Sequence, residues 1–314
     1  MTGFIADIGG TNVRFALVAP DGTLSAVERL KCADFPTLFD ACEAYLAGRE
    51  RPRHGAFAVA SPVIGDMVRM TNHVWTFSIE ETRRRLRLET LDVINDFIAV
   101  ALGLPRLGGT DVTRIGGGDP DPHAALGVLG AGTGLGVAGL LRPRGGGHVP
   151  VSSEGGHVTL PAFDDREAAV IAVLRRQFGH VSAERVLSGP GLVNLYRAVG
   201  EVDGRAVDPE ITPADCTGRA IRHECPVAAE ALRLFCGMLG TVAANLALTL
   251  DARGGIFIAG GIVPTLGADF QAAEFRSRFE NKGRFRDYLT NIPTWVVTRP
   301  LPAFIGLATL VTTG

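Results

Sequence analysis

The chain is predicted to be an α/β protein built in two halves, and two observations lead there. Apolar strand-like runs alternate with helical segments along its whole length, the pattern of a sheet covered by helices. Each half also opens with an apolar run, a turn of small residues and a second apolar run. In the first half these are Gly3–Ala6, Asp7-Ile8-Gly9-Gly10-Thr11-Asn12 and Val13–Val18. In the second they are Ala125–Leu129, Gly130-Ala131-Gly132-Thr133-Gly134-Leu135-Gly136 and Val137–Leu141. Such a run is a β-hairpin signature, and its glycines let backbone N–H groups and Thr hydroxyls come close to an anion. Two of them in matching positions predict a duplicated fold that grips a polyphosphate from both sides.

The elements follow in order. Residues 3–8 and 13–19 form the first hairpin, Pro20-Asp21-Gly22 turns the chain, and Thr23–Leu30 returns as a third strand. Pro36 opens a helix to about Leu46, and Gly55–Ala60 is a short buried strand. Ser78-Ile79-Glu80-Glu81 is a capping box before a basic helix to Arg87. Leu91–Ile94 is a strand that delivers Asn95-Asp96 to a helix ending near Gly103. The stretch Gly108–His123, with three successive glycines and two prolines, marks the domain boundary. Beyond the second hairpin, Arg144–Gly147 is a turn before Val149–Ser153, and helices are expected at 166–178, 183–187, 191–199, 213–222 and 226–249. Gly255–Ala259 is a buried strand ending in Gly260-Gly261, Trp295–Thr298 is the last strand, and Pro302–Thr312 the closing helix.

Composition removes several classes. The 314 residues suit two domains, and 46% hydrophobic residues with a mean hydropathy of +0.21 can fill substantial cores. A net charge of −2 leaves no electrostatic footprint for nucleic acid or an anionic membrane. Five cysteines without a CxxC pair fit buried thiols in a reducing cytoplasm, and no secretory signal precedes the first strand. The apolar run Leu234–Leu250 is interrupted by Gly237, Gly240, Thr241 and Asn245, so it reads as a buried core helix rather than a membrane span.

Each chemical motif has a structural alternative. Asp7 with Gly9-Gly10-Thr11-Asn12 can be a plain tight turn. A carboxylate beside phosphate is repulsive unless a divalent cation intervenes, however, which suits Asp7 to Mg²⁺ or one of its waters, while Thr11 and Asn12 donate to phosphate oxygens. Lys31 and Lys282, the only lysines, lie outside any GxxxxGK[ST] pattern, and Leu135 stands where GxGxxG needs its third glycine. ATP would therefore bind without a lysine. Asp96 is either a helix N-cap or a ligand-facing carboxylate at a strand end, and the two roles can coexist. Glu154-Gly155-Gly156-His157 is a polar turn, or a pair of groups able to bracket sugar hydroxyls; it lacks the spacing of a metal site. Glu184, after Ser182, is a capping residue or a further ligand.

With these residues in hand, the chain resembles bacterial glucokinases of the non-ROK type, in the actin-like (hexokinase/Hsp70) ATPase superfamily. The carriers are Ala6–Asn12, Met70–Trp75, Ile94–Phe97, Gly130–Gly136, Glu154–His157, the long block His180–Tyr196, and Ile256–Pro264. The resemblance runs end to end. It implies a two-domain actin-like (ribonuclease H-like) α/β fold with a central cleft: a small domain of residues 1–107 plus 299–314 and a large one of 108–298, often as a homodimer. It also implies transfer from ATP, with Mg²⁺, to the 6-hydroxyl of D-glucose. By the same resemblance, Ala6, Asp7, Ile8, Gly9, Gly10, Thr11 and Asn12 form the first phosphate loop, Gly132 and Thr133 the second, and Gly260 and Gly261 the adenosine contact. Asn95, Asp96, Glu154, His157 and Glu184 are the implied sugar ligands, with Asp96 the catalytic base. Cysteines are absent between His157 and Cys216, unlike the zinc motif of ROK kinases. Ser152-Ser153 and Ser61 depart from the residues familiar in relatives, Pro-Gly and Cys.

Such a kinase must avoid spending ATP on water, so the two domains are expected to close on the sugar, hinging near 108–123 and the last helix. Three rivals differ in kind: a kinase for another hexose, a non-catalytic sugar sensor, and a filament or chaperone ATPase. The sensor needs a DNA-binding module that the sequence does not offer, and the ATPase would leave Glu154, His157 and Glu184 idle.

Overall fold

A segment such as GFIADI, apolar but for one aspartate, is stable only as a strand covered on both faces. In the computed structural model, which describes residues 3–71 and 73–312, it is the central strand β1 (Gly3–Ile8) of a five-stranded sheet. Asn72, inside the Met70–Trp75 motif, lies outside the described residues. β2 (Asn12–Val18) and β3 (Leu24–Lys31) continue antiparallel, with a register shift between Phe15 and Leu17. α1 (Leu38–Leu46) starts two residues later than Pro36 suggests. Thr37 is its cap, exchanging hydrogen bonds with Asp40 in a capping box. β4 (His54–Val59) then pairs parallel to β1. A two-stranded ribbon, β5 (Met67–Arg69) and β6 (Thr76–Ser78), leads into α2 (Ile79–Arg85), where Ser78 accepts from the Glu81 N–H. β7 (Thr90–Asn95) pairs parallel to β4, and α3 (Asp96–Gly103) follows without a loop.

The chain divides into two compact units, one running to Gly108 and resuming at Arg299, the other spanning Gly109–Thr298. The second unit repeats the first sheet's logic. β8 (Val112–Gly116) lies in the stretch that composition marks as a boundary, and it is an edge strand of this unit. β9 (Leu126–Ala131) and β10 (Leu135–Leu141) form the second hairpin, extended by β11 (Val149–Val151). Then come α4 (Asp165–Phe178), α5 (Gly189–Val202), α6 (Pro213–Ile221) and α7 (Pro226–Leu250). α7 is long and apolar enough to cross a membrane, yet Leu234–Ala244 is buried residue after residue in the core of the unit. β12 (Gly255–Gly260) is parallel to β9. α8 (Ile262–Leu266), α9 (Ala272–Glu280) and α10 (Arg286–Thr290) fill a stretch where no element is expected from the sequence, and β13 (Thr294–Val297) runs parallel to β12 and antiparallel to β8. The orders β3-β2-β1-β4-β7 and β11-β10-β9-β12-β13 match strand for strand, so the fold is duplicated.

In the first unit the core is aromatic where the sheet meets α1. Phe4 stacks on Phe15 at 5.5 Å and on Tyr45 at 5.6 Å, and meets Phe57 edge-on at 5.3 Å. The last helix, α11 (Pro302–Thr312), returns to this unit and packs on α3 and β1. That approach is close enough to demand glycine: a Cβ on Gly306 would lie 1.8 Å from the Ala99 carbonyl oxygen. Gly306→Ala should therefore force α3 and α11 apart, at about 1–3 kcal/mol. The checking measurement is thermal unfolding, with the midpoint expected to fall by several degrees; an unchanged midpoint would refute the packing argument.

Candidate active site

In the first unit the site grows from the C-terminal ends of three parallel strands. Register places Ile8, Val59 and Asn95 in one row across β1, β4 and β7. Asp7, one residue before the row's end, is paired across the hairpin with Arg14, whose Nη1 lies 3.1 Å from Oδ2. Burial pushes the Asp7 carboxyl above the usual carboxylate range, and the Arg14 charge and hydrogen bond only partly offset it. Arg14 is absent from the sequence reading, although counting back from the turn puts it opposite Asp7.

The loop after β1 is shaped by its carbonyls. Gly9 N–H donates to the Asn12 carbonyl at 3.0 Å. The Cys32 N–H donates to the Thr11 carbonyl at 2.9 Å, and the Cys32 thiol to the Gly9 carbonyl at 3.4 Å. With those acceptors engaged, the Gly10 and Thr11 N–H groups and the Thr11 hydroxyl carry no partner among the described residues. Unpaired backbone donors of this kind are suited to an anion. Neither Gly9 nor Gly10 has a positive φ, so these glycines provide close access rather than a special backbone shape.

Asn95 and Asp96 stand two strands away, roughly 10 Å at normal strand spacing. The capping role falls on Asn95, whose Oδ1 accepts the Phe97 N–H at 2.9 Å. Asp96 is therefore the first residue of α3 rather than its cap, and it is half-buried with its Oδ1 also 2.9 Å from that N–H. At the end of β4, buried Ser61 accepts the Thr71 N–H at 2.8 Å and ties down the base of the ribbon.

In the second unit, backbone approaches backbone. The loop after β9 is one residue shorter than its counterpart: Ala131 pairs with Leu135, whereas Ile8 pairs with Val13. It closes with Gly132 N–H to the Gly134 carbonyl at 2.8 Å. The start of α5 docks on it, Gly189 N–H donating to the Gly132 carbonyl at 2.8 Å, while Ser188 caps that helix. β12 brings Gly260 and Gly261 to the same loop, and Gly261 N–H reaches the Ala131 carbonyl at 3.0 Å. The two glycines differ in role. Gly260 has φ +80° and no room for a Cβ against Ala131, whereas a Cβ on Gly261 would meet nothing within 4 Å. Gly261 is the one open to a ligand.

Glu154 and His157 flank a short 3-10 turn, with Oε2 and Nε2 4.0 Å apart and both side chains exposed. That turn packs beside the 3-10 turn Ala183–Arg185, because Ala183 N–H donates to the Val158 carbonyl at 2.9 Å. Glu184 is thereby brought to the same place, and its Oε2 accepts the Leu135 N–H at 2.8 Å. Glu154, His157 and Glu184 thus gather next to the Gly132–Gly134 loop. Among the described residues no group of three or more His, Cys, Asp or Glu side chains is arranged to hold a metal. A single carboxylate such as Asp7 still fits Mg²⁺, which takes one or two carboxylates plus phosphate oxygens and water.

The family model for glucokinase matches residues 4–313. In sequence the chain is 51% identical to a glucokinase of Paramagnetospirillum magneticum, covering 98% of this chain and 97% of that protein. It is equally identical, 51%, to a glucokinase of Aromatoleum aromaticum, covering 97% and 93%. In structure it is similar to a glucokinase from an Antarctic psychrotroph, with a TM-score of 0.89, 36% identity and 98% of each chain covered.

Asp7 yields a prediction about stability. Its folded pKa is raised, so between the unfolded and folded values the native state holds more protons, and stability falls as pH rises through that window. Asp7→Asn removes the charge that burial disfavours. Its unfolding midpoint at pH 7 should equal or exceed the parent's, and the gap should close as the pH drops below the parent's folded pKa. A variant clearly less stable at pH 7 would contradict this.

Proposed function

The chain belongs to the glucokinase family and phosphorylates D-glucose with ATP, and we propose the following division of that work among its residues. Asp96 is the general base, Asn95, Glu154, His157 and Glu184 hold the sugar with it, and the loops after β1 and β9 hold the phosphates. The observation that carries this reading is the row of strand ends in the first unit. There the loop that carries unpaired backbone donors follows β1, and a carboxylate that begins a helix follows β7, two strands away in the same row.

The γ-phosphoryl transfers in line to the 6-hydroxyl. That alcohol is too weak an acid to ionise beforehand. Asp96 orients it by accepting its hydrogen bond, then takes the proton as the new oxygen–phosphorus bond develops. The loose transition state makes positioning and charge stabilisation the larger part of catalysis. Gly10 and Thr11 in one loop, with Gly132 and Thr133 in the other, supply donors to the phosphate oxygens, and Gly261 with Gly260 behind it borders the adenosine. Asp7 is the residue to hold Mg²⁺, which when bound neutralises phosphate charge. Arg14 keeps the carboxylate oriented and moderates its cost meanwhile.

Selectivity follows from hydroxyl recognition. A site that bonds a given hydroxyl rejects an analogue that misplaces it, because its own polar groups are left unpaired. Closure of the protein on glucose completes the site and excludes water. The family also supports a homodimer in the cytoplasm, feeding glucose into glycolysis. All five cysteines are free thiols, four of them buried, which agrees with a reducing compartment.

Asp96→Asn keeps the shape and removes the base. Turnover in a coupled ADP assay should fall by about a hundredfold or more, with the glucose Kd nearly unchanged. Full turnover would exclude the role. Glucose should also slow hydrogen exchange around Gly155–His157 and at the two crossings near Gly108 and Thr298; exchange indifferent to glucose would remove the closure step.

A further inference from the structure

Gly134 sits in the second phosphate loop, where glycine is read as making room for nucleotide. Its surroundings give a different reason. A Cβ on Gly134 would meet Glu184 Oε2 at 2.4 Å, Glu184 Cδ at 3.2 Å and Glu184 Oε1 at 3.9 Å, so its three nearest neighbours all belong to one carboxylate. Elsewhere in the loop the pattern differs. A Cβ on Gly132 would meet only the Gly261 nitrogen at 4.0 Å, and one on Gly130 would strike the Ala259 backbone at 2.6 Å. Beside Gly134, the next peptide donates its N–H to that same carboxylate, Leu135 N to Glu184 Oε2 at 2.8 Å.

We infer that Gly134 is a positioning residue for glucose: its missing side chain is the space in which the Glu184 carboxylate is held against the Leu135 N–H. This bond also ties the sugar site to the nucleotide loop. The inference rests on the reading of Glu184 as a sugar ligand. Glu184 Oε2 is fixed by the loop, which leaves Oε1 for a hydroxyl. Leu135 is the residue at which the loop after β9 enters β10, so a nucleotide bound on that loop and a sugar bound on Glu184 act on the two sides of one hydrogen bond. Glucose and nucleotide therefore favour each other's binding, and by thermodynamic reciprocity each does so by the same factor. The predicted clash falls on the end of a flexible side chain rather than on backbone. Alanine at 134 should thus displace the carboxylate and spare the fold.

Isothermal titration of the full-length protein with D-glucose and with ADP, each alone and each in the presence of the other, tests this. Gly134→Ala should weaken glucose about tenfold or more, the loss expected for a charge-assisted hydrogen bond. The Kd for ADP alone and the thermal midpoint should stay near the parent's. Glu184→Gln weakens glucose but keeps an acceptor for Leu135, so the mutual enhancement survives; Glu184→Ala loses both. Parent-like glucose binding in Gly134→Ala, with glucose weakened in Glu184→Ala, overturns the inference alone. So does an equal loss of ADP and glucose, or a parent with no mutual enhancement. A parent that binds no glucose, or parent-like glucose binding in Glu184→Ala, overturns the sugar-ligand reading and this inference with it. Should Gly134→Ala fail to fold, the Gln and Ala variants decide: equal enhancement in both overturns the coupling.

Discussion

One residue, Leu135, organises the candidate site of the second unit through its two backbone polar groups. Its N–H is taken by Glu184. Its carbonyl is met so closely by the Glu154–His157 turn that a Cβ on Gly156 would sit 2.1 Å from the oxygen. Glu184 and the Glu154–His157 turn are thus both referenced to the first residue of β10. Because β10 is hydrogen-bonded to β9, the reference is a strand and not a loop. Sites carried on such elements keep their geometry better than sites carried on loops. Gly134 and Gly156 are the conditions for it, since a side chain at either position competes with one of those two contacts.

In the first unit the corresponding constraint is electrostatic. Asp7 lies at the end of a strand whose other residues are buried, and burial raises the energy of its charge more than Arg14 lowers it. Catalytic and ligand-binding groups are often held in this way, against their solvation preference. Cys32 is quieter but related. Its thiol and N–H occupy the Gly9 and Thr11 carbonyls, so the shape of that loop is set in part from the residue that follows β3.

Much of this was legible in the sequence because the physics was local. Hairpin turns between apolar runs, the strand delivering Asn95-Asp96, and the bounds of α11 follow from patterning within a few residues. Long-range facts were not. β8 is a strand only because β13 accepts it, and nothing in Val112–Gly116 announces a partner so far along the chain. The segment 262–290, broken by Gly267 and Gly283 at positive φ, makes three short helices, two of them single turns whose periodicity is too brief to read. Asp96 looked equally like a cap. The choice of Asn95 instead depends on one hydrogen bond to Phe97 that sequence does not display. The grouping of Glu154, His157 and Glu184 came from family resemblance, and its physical basis, two 3-10 turns laid side by side, is tertiary.

The duplication also explains why the two loops are unequal. Register aligns the pair Asp7–Arg14 on the first hairpin with Gly130–Gly136 on the second, one step back from the last paired residues in each. An acid and its counter-charge in one copy correspond to two glycines in the other. At Gly130 the reason is steric, since the Ala259 backbone of β12 occupies the volume a side chain would need. The consequence is electrostatic. A carboxylate in a turn repels an anion bound there, and one Mg²⁺ neutralises only part of a triphosphate's charge. The second hairpin has no acid of its own in the turn, and the carboxylate it holds, Glu184, comes from elsewhere in the chain and is taken up by the Leu135 N–H. On the proposed reading that acid, like Glu154, serves an uncharged sugar rather than the phosphates.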